Sequence, residues 1–260
     1  MTATTPTRAS KQRLDQLLVE RGLASGRDRA RALILAREVL VDGQVALRAA
    51  APVAADAVIE VKTAPPFVSR GGEKLTHALD ASGIDPAGLR CLDVGASTGG
   101  FTDCLLQRGA AHVVAVDVAY GEFAAKLRDD PRVTLIERVN ARSMEPVDPP
   151  VDLLVMDVSF ISAATVLPAV ARSVRPGGHL LILVKPQFEA GREQVQKGGV
   201  VHDPVVHAAC IGKVALAAID LGLRVAGVIR SPLLGPAGNR EFFLWLRVPA
   251  GGASGLERAS

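Results

Sequence analysis

Four ionisable residues, Lys74, Asp157, Lys185 and Glu241, stand where a chain of alternating strands and helices would bring them together. Lys74 lies in Ser69-Arg70-Gly71-Gly72-Glu73-Lys74-Leu75, and Asp157 falls at the end of the apolar run that starts at Val151. Lys185 follows the run His179 to Val184, and Glu241 opens the run that ends at Val248. In open α/β sheets ligands bind beyond the carboxyl ends of the parallel strands, and a last strand of opposite direction would begin at that same edge. Two lysines and two carboxylates suit transfer of an already activated methyl group to a ribose hydroxyl, because the protein must then mainly align the attacking oxygen and help remove its proton. A lysine acts as base only where desolvation or a neighbouring cation favours its neutral form, and a second lysine would supply that cation. Lys185 is assigned as the base, with Lys74 the alternative. Asp157 and Glu241 would orient the lysines and the ribose, while Lys74 would position the hydroxyl. The competing reading is a surface ion-pair cluster, favoured for Lys74 taken alone.

A methyl donor needs its own site. Asp93-Val94-Gly95-Ala96-Ser97-Thr98-Gly99-Gly100-Phe101 places glycines and small residues where a first strand would turn into a helix, so that backbone can approach a ligand closely. A dinucleotide loop would read G-x-G-x-x-G, but Ser97 occupies the second glycine position and acidic Asp93 precedes the loop. That carboxylate would repel a pyrophosphate and favours the amino group of a methionine moiety, so the expected cofactor is S-adenosylmethionine. Asp117, 22 positions after Gly95, falls at the end of the second strand, where it could take both ribose hydroxyls. Arg138 and Asn140, after the third strand, would lie near the adenine. A tight turn without a ligand is the minority alternative.

Positioning these groups requires a sheet. Strands are predicted near residues 90–94, 112–118, 133–138, 151–158, 179–184, 224–230 and 241–248, with helical stretches between most of them. This is an α/β pattern, a mostly parallel seven-stranded sheet with an antiparallel last strand, because the final two strands have no helix between them. With 48% hydrophobic and 22% charged residues, the composition is that of an ordinary globular protein. The longest apolar runs are strand-length and no signal peptide is recognisable, which disfavours secretion and membrane spanning. Cys91, Cys104 and Cys210 form no C-x-x-C pair and read as reduced core thiols, consistent with a cytoplasmic location. The five histidines have no ligand spacing, so no metal is expected.

The net charge is +3, yet residues 1–50 carry nine basic and five acidic side chains, a local +4 that leaves −1 for the remainder. Such segregation points to a polyanion partner, a solvated helical face being the bland alternative. Leu14, Leu17 and Leu18 predict a first helix. Ser25 and Asp28 suggest a capping box for a second, on which Arg27, Arg31 and Arg37 fall mainly away from the apolar face. Val39 to Leu47 around Asp42-Gly43 predicts a hairpin, with a further strand at 57–61. The expected organisation is a tail at 1–10, a small α+β RNA-binding domain at 11–61, a linker at 62–68, the catalytic domain at 69–249 and a tail at 250–260. Lys11, Arg13, Arg27, Arg31, Arg37 and Arg70 are the expected RNA contacts. Phe160 either stacks on a flipped target base or is a core side chain following a strand.

The stretches Arg13-Leu14-Asp15-Gln16-Leu17-Leu18, Gly22-Leu23-Ala24-Ser25-Gly26-Arg27 and Val39-Leu40-Val41-Asp42-Gly43 resemble the S4-type RNA-binding domain. Across nearly the whole chain, Val68 to Leu75, Gly95 to Thr102, Asp157 to Ser162, Val184 to Glu189 and Gly238 to Phe242 resemble the TlyA, or hemolysin A-like, rRNA methyltransferases, which join an S4 domain to an FtsJ-like methyltransferase domain. The resemblance implies a Rossmann-like class I methyltransferase fold and S-adenosylmethionine-dependent 2′-O-methylation of cytidine in 16S or 23S ribosomal RNA, or both, within ribosomal subunits. It carries a Lys-Asp-Lys-Glu tetrad onto Lys74, Asp157, Lys185 and Glu241, and a monomeric protein is expected. Two alternatives from other classes are a membrane-active hemolysin and an RNA-binding protein whose methyltransferase domain is inactive.

Overall fold

The computed structural model describes residues 11–62, 65–253 and 255. The expected tail at 1–10, the linker positions 63 and 64, and positions 254 and 256–260 of the expected C-terminal tail lie outside them. The chain divides into two compact units at Ala64/Pro65.

In the first unit, β1 (Lys11–Arg13) leads into α1 (Leu14–Glu20) and α2 (Arg27–Leu35), followed by β2 (Val39–Val41), β3 (Gln44–Val45), β4 (Pro52–Ala54) and β5 (Ile59–Val61). Leu14, Leu17, Leu18, Ala30, Leu33, Ile34 and Val39 form its core, the helical face that their spacing demands. The tight β2–β3 hairpin turns at Asp42-Gly43, both with positive φ, and β5 pairs on the other side of β2. The small sheet is in fact two sheets. β1 pairs antiparallel with β4, an element without any strong sequence signal because three residues hold too few alternations to reveal a period. The capping-box expectation for α2 is also corrected: the residue before the helix is Gly26, and no side chain caps it.

The second unit runs α3 (Gly71–Ser82), β6 (Arg90–Val94), α4 (Gly100–Gln107), β7 (His112–Val116), α5 (Ala125–Arg128), β8 (Val133–Ile136), β9 (Val151–Met156), α6 (Ala163–Ala171), β10 (Val174–Val184), α7 (Pro186–Glu189), α8 (Pro204–Asp220), β11 (Arg224–Arg230) and β12 (Phe242–Arg247). Its seven-stranded sheet has the order β11-β12-β10-β9-β6-β7-β8. The pairs from β10 to β8 are parallel, and β12 inserts antiparallel between β10 and β11. This is the Rossmann-like arrangement that the alternation of elements predicted.

Strand alternation divides the core between the two faces. Leu92, Val94, Leu154, Met156, Leu180, Ile182 and Leu244 pack with residues of α6 and α8. Cys91, Val113, Ala115, Leu153, Val155, Leu181 and Phe243 pack with residues of α3 and α4. The three cysteines are free and buried, as expected of core thiols, and burial pushes Cys91 up to about 12. Near the chain end Ala253 is also buried, in the first of these clusters.

Candidate active site

Register brings the four charged residues to one edge. Val94 of β6 lies beside Met156 of β9, so the chain passes Gly95 and Asp157 next to each other, and Asp157 N donates to Val94 O at 2.9 Å. Val184 of β10 pairs with Phe242 of β12, which sets Lys185 leaving one strand against Glu241 entering the next. Lys74, in the first turns of α3, completes the group: its Nζ donates to Glu241 Oε2 at 2.6 Å, with both residues buried. Lys185 Nζ lies 2.5 Å from Asp157 Oδ1 and donates to Ser159 Oγ at 2.9 Å. All four residues line a cleft of about 540 Å³, together with Arg70 and the Gly95–Thr98 loop. The arrangement is two lysine–carboxylate pairs. The expected tuning of one lysine by the other is corrected to the extent that each ammonium has a carboxylate as its immediate partner.

A second cleft of about 460 Å³ contains Asp117, Val139 and Asn140, and meets the first at Gly95, Ser97 and the stretch from Asp157 to Phe160. Gly95 has φ +81, and a Cβ there would stand 2.5 Å from Asp157 O, so the loop and the strand end can touch only without a side chain. Ser97 adopts φ +48 and is held there by Asp117 Oδ2, which accepts from Ser97 N at 2.7 Å. Asp117 Oδ1 accepts from Ala119 N at 2.7 Å. Asp117 thus shapes the loop, and each oxygen retains a lone pair for a ribose hydroxyl. Ala96, Ser97, Thr98, Gly100 and Phe101 line the first cleft. Gly99, at φ +96, supports them from behind, against Leu127 and Phe123. Of the two residues expected near adenine, Asn140 lines the second cleft, whereas Arg138 stacks on the Tyr120 ring 4.1 Å away and lines neither.

Asp93 is wholly buried and does not line the cleft directly. Its Oδ2 accepts from Thr102 Oγ1 at 2.7 Å, while Oδ1 has no protein partner. Burial pushes this carboxyl up to about 7 against the Thr102 hydrogen bond, with Asp157 and Asp117 adding to the rise. In the unfolded chain the group titrates near 3.8, so between that pH and about 7 the folded protein holds a proton that the unfolded chain has released. Its stability contribution is therefore complete at low pH and falls as the pH rises through 7. Asp93→Asn should remove that fall: urea unfolding at pH 5 and pH 8 is expected to show the variant gaining on the parent at the higher pH.

Several groups around the cleft carried no sequence assignment. Ser159 bonds Lys185, the Phe188 ring lies 5.2 Å from Phe160, and buried Glu189 accepts from Ser162 Oγ and Ala163 N, both at 2.5 Å. These contacts tie the segment after β9 to the segment after β10. Buried Asn239 does similar work, accepting from Val201 N at 2.9 Å and donating to Gly199 O at 2.8 Å. The sequence signal for Glu189 and Asn239 is at most a polar residue beside an apolar run, because their partners lie 26 to 40 positions away.

Among the expected RNA contacts, Phe160 is 92% exposed at φ +64 and lines both clefts, which overturns the alternative of a core phenylalanine. Arg70 is exposed at the cleft. In the first unit Lys11 is exposed, while Arg13, Arg27 and Arg31 converge on Asp15. Arg37 is not on α2 as expected. It lies beyond the helix at φ +60, in the turn that donates to Ile34 O.

Residues 67–248 match the model of the FtsJ-like methyltransferases and residues 12–59 that of the S4 domain. The chain is 51% identical, over 96% of both sequences, to a Mycobacterium tuberculosis protein named 16S/23S rRNA (cytidine-2′-O)-methyltransferase TlyA. A solved chain from Streptococcus thermophilus that bears a hemolysin name is 37% identical over 96% of both chains, with a TM-score of 0.69. An S-adenosylmethionine-dependent methyltransferase from Mesorhizobium loti shares the fold alone, with 16% identity over 65% of this chain and 95% of its own, and a TM-score of 0.51.

Proposed function

Because the chain belongs to the TlyA family, in which an S4 domain precedes an FtsJ-like methyltransferase domain, we propose that it methylates the 2′-hydroxyl of cytidine in 16S ribosomal RNA, 23S ribosomal RNA or both, using S-adenosylmethionine. The observation that carries this reading is the pair of lysine–carboxylate contacts, Lys74–Glu241 and Lys185–Asp157, in one cleft beside the Gly95 loop. The site fits the cofactor. The Gly95 loop borders both clefts, and an unpartnered buried oxygen of Asp93 stands just before it. When bound, S-adenosylmethionine would supply an electrophilic methyl group.

The chain's own groups then perform three tasks. The Gly95 to Phe101 loop and Asp117 would hold the cofactor, with Asn140 lining the second cleft. Lys74 and Glu241 orient the ribose hydroxyl. Lys185 is placed to take the hydroxyl proton, while Asp157 and Ser159 direct its nitrogen. Arg70 and Phe160, exposed at the cleft, would meet the RNA. The S4 unit would hold the surrounding ribosomal RNA, and such a substrate places the chain in the cytoplasm. Among the described residues no helix is long and apolar enough to cross a membrane, so the hemolysin reading gains nothing from the helices.

Purified chain, radiolabelled S-adenosylmethionine and ribosomal subunits lacking the modification test the proposal. Label should enter the RNA, and the phosphodiester next to the modified nucleotide should resist alkaline cleavage. Incorporation with that bond still cleavable would assign the methyl group to a base, and no incorporation would sink the enzymatic reading.

A further inference from the structure

One carboxylate in the N-terminal unit gathers three guanidinium groups. Asp15 is fully buried among the core leucines of α1, yet the side chains of Arg13, Arg27 and Arg31 remain 43%, 49% and 53% exposed. Arg13 donates through Nε and Nη2 to the two oxygens of Asp15, at 3.0 and 2.8 Å. Arg27 Nη2 stands 3.4 Å and Arg31 Nε 3.6 Å from Oδ2. Arg27 and Arg31 are four apart on α2, so they share a face, and Arg13 approaches from β1. The Arg13 hydrogen bond holds the Asp15 carboxyl well below the usual carboxylate range in spite of its burial, with Arg27 assisting, so the anion persists at neutral pH.

Three guanidinium groups around Asp15, with exposed Asp28 Oδ1 3.8 Å from Arg31 Nη1, leave a surface charge of +1. A free arginine must lose much of its rotamer freedom when it is held in place. Here a buried anchor has already ordered the side chains, and each guanidinium has five N–H donors, of which Asp15 can engage only some. Arg21 differs in this respect, turning its guanidinium inward to Ala57 O and Ala55 O, at 2.7 and 2.6 Å.

We propose that Asp15 is a positioning residue that assembles Arg13, Arg27 and Arg31 into one preorganised clamp for a backbone phosphate of folded RNA. This rests on the reading that the first unit binds RNA, and it assigns a favourable role there to a negative charge. The two accounts predict opposite signs. If charge alone governs, Asp15→Asn adds one positive unit and binding should tighten or stay unchanged. If the clamp governs, the arginines lose their anchor and binding should weaken.

The experiment titrates unmodified ribosomal subunits with the full chain over a series of salt concentrations. For Asp15→Asn the expected result is about a tenfold weaker Kd and a salt slope shallower by about one, with the change in methylation falling on KM for the subunit rather than on kcat. Binding equal to or tighter than the parent, with an unchanged or steeper slope, overturns the clamp. Amide exchange over α1 and α2 reports whether the variant unit is folded. If it is not, the Arg13→Lys/Arg27→Lys chain decides, since it retains Asp15 and every charge but not the forked donors: weaker binding supports the clamp, and parental binding overturns it. A parent chain that binds subunits without methylating them defeats the enzymatic reading and leaves the clamp standing, whereas one that binds no RNA defeats both.

Discussion

Lys185→Ala is expected to slow methyl transfer by about 10²- to 10⁴-fold, the range attributable to a positioned acid or base, while S-adenosylmethionine affinity changes far less. The reason is local. The Lys185 nitrogen is held between Asp157 Oδ1 at 2.5 Å and Ser159 Oγ at 2.9 Å, at the start of the segment tied by Glu189 to the loop after β9. A substituted side chain can keep the positive charge without keeping the function. Lys185→Arg should therefore not restore the rate, because a guanidinium does not give up its proton in a protein. Single-turnover transfer on unmodified subunits, with cofactor affinity measured separately, gives the comparison. A Lys185→Ala chain as fast as the parent would remove Lys185 from the chemistry.

The second large effect concerns stability as well as rate. Lys74 and Glu241 are both buried and joined at 2.6 Å across 167 positions of sequence. Glu241→Ala leaves an ammonium in the interior without its partner, and breaking a buried pair from one side costs about 3–5 kcal/mol. The cost should show as an earlier urea midpoint with little change in slope. Replacing both residues by apolar groups of similar size, Lys74→Met with Glu241→Leu, should recover most of that loss, since a well-packed apolar pair avoids desolvating two charges. The double variant should nevertheless transfer no methyl groups at a measurable rate. Stability regained without activity would separate the catalytic role of the pair from its structural one. A fully active double variant would make the pair structural only.

The alternation of apolar strands and helices was enough to read the seven-stranded α/β sheet and the reversed last strand, because burial on both faces of a sheet leaves continuous apolar runs whose order dictates topology. The Gly95 to Phe101 turn, Asp157, Lys185 and Glu241 were also legible, since each lies where such a run begins or ends, whereas Lys74 stood out through the motif resemblance. In the first unit the helical leucines and the Asp42-Gly43 hairpin could be read, but the β1–β4 pairing could not, and Arg37 was assigned to a helix that ends before it. Those features depend on contacts between short segments, for which periodicity carries little information.

Tertiary structure alone decided who is paired with whom. The identities of Lys74, Asp157, Lys185 and Glu241 do not say that they form two pairs, because strand register brings Asp157, Lys185 and Glu241 to one edge and the packing of α3 sets Lys74 against Glu241. The same holds for Asp15, a single acidic residue in a basic segment that becomes the anchor of three arginines only after α1, α2 and β1 pack together. Patterns of apolarity are written along the chain, so the sequence determined the architecture. Hydrogen bonds and ion pairs act over a few ångströms in space, so only the folded chain could determine the partners.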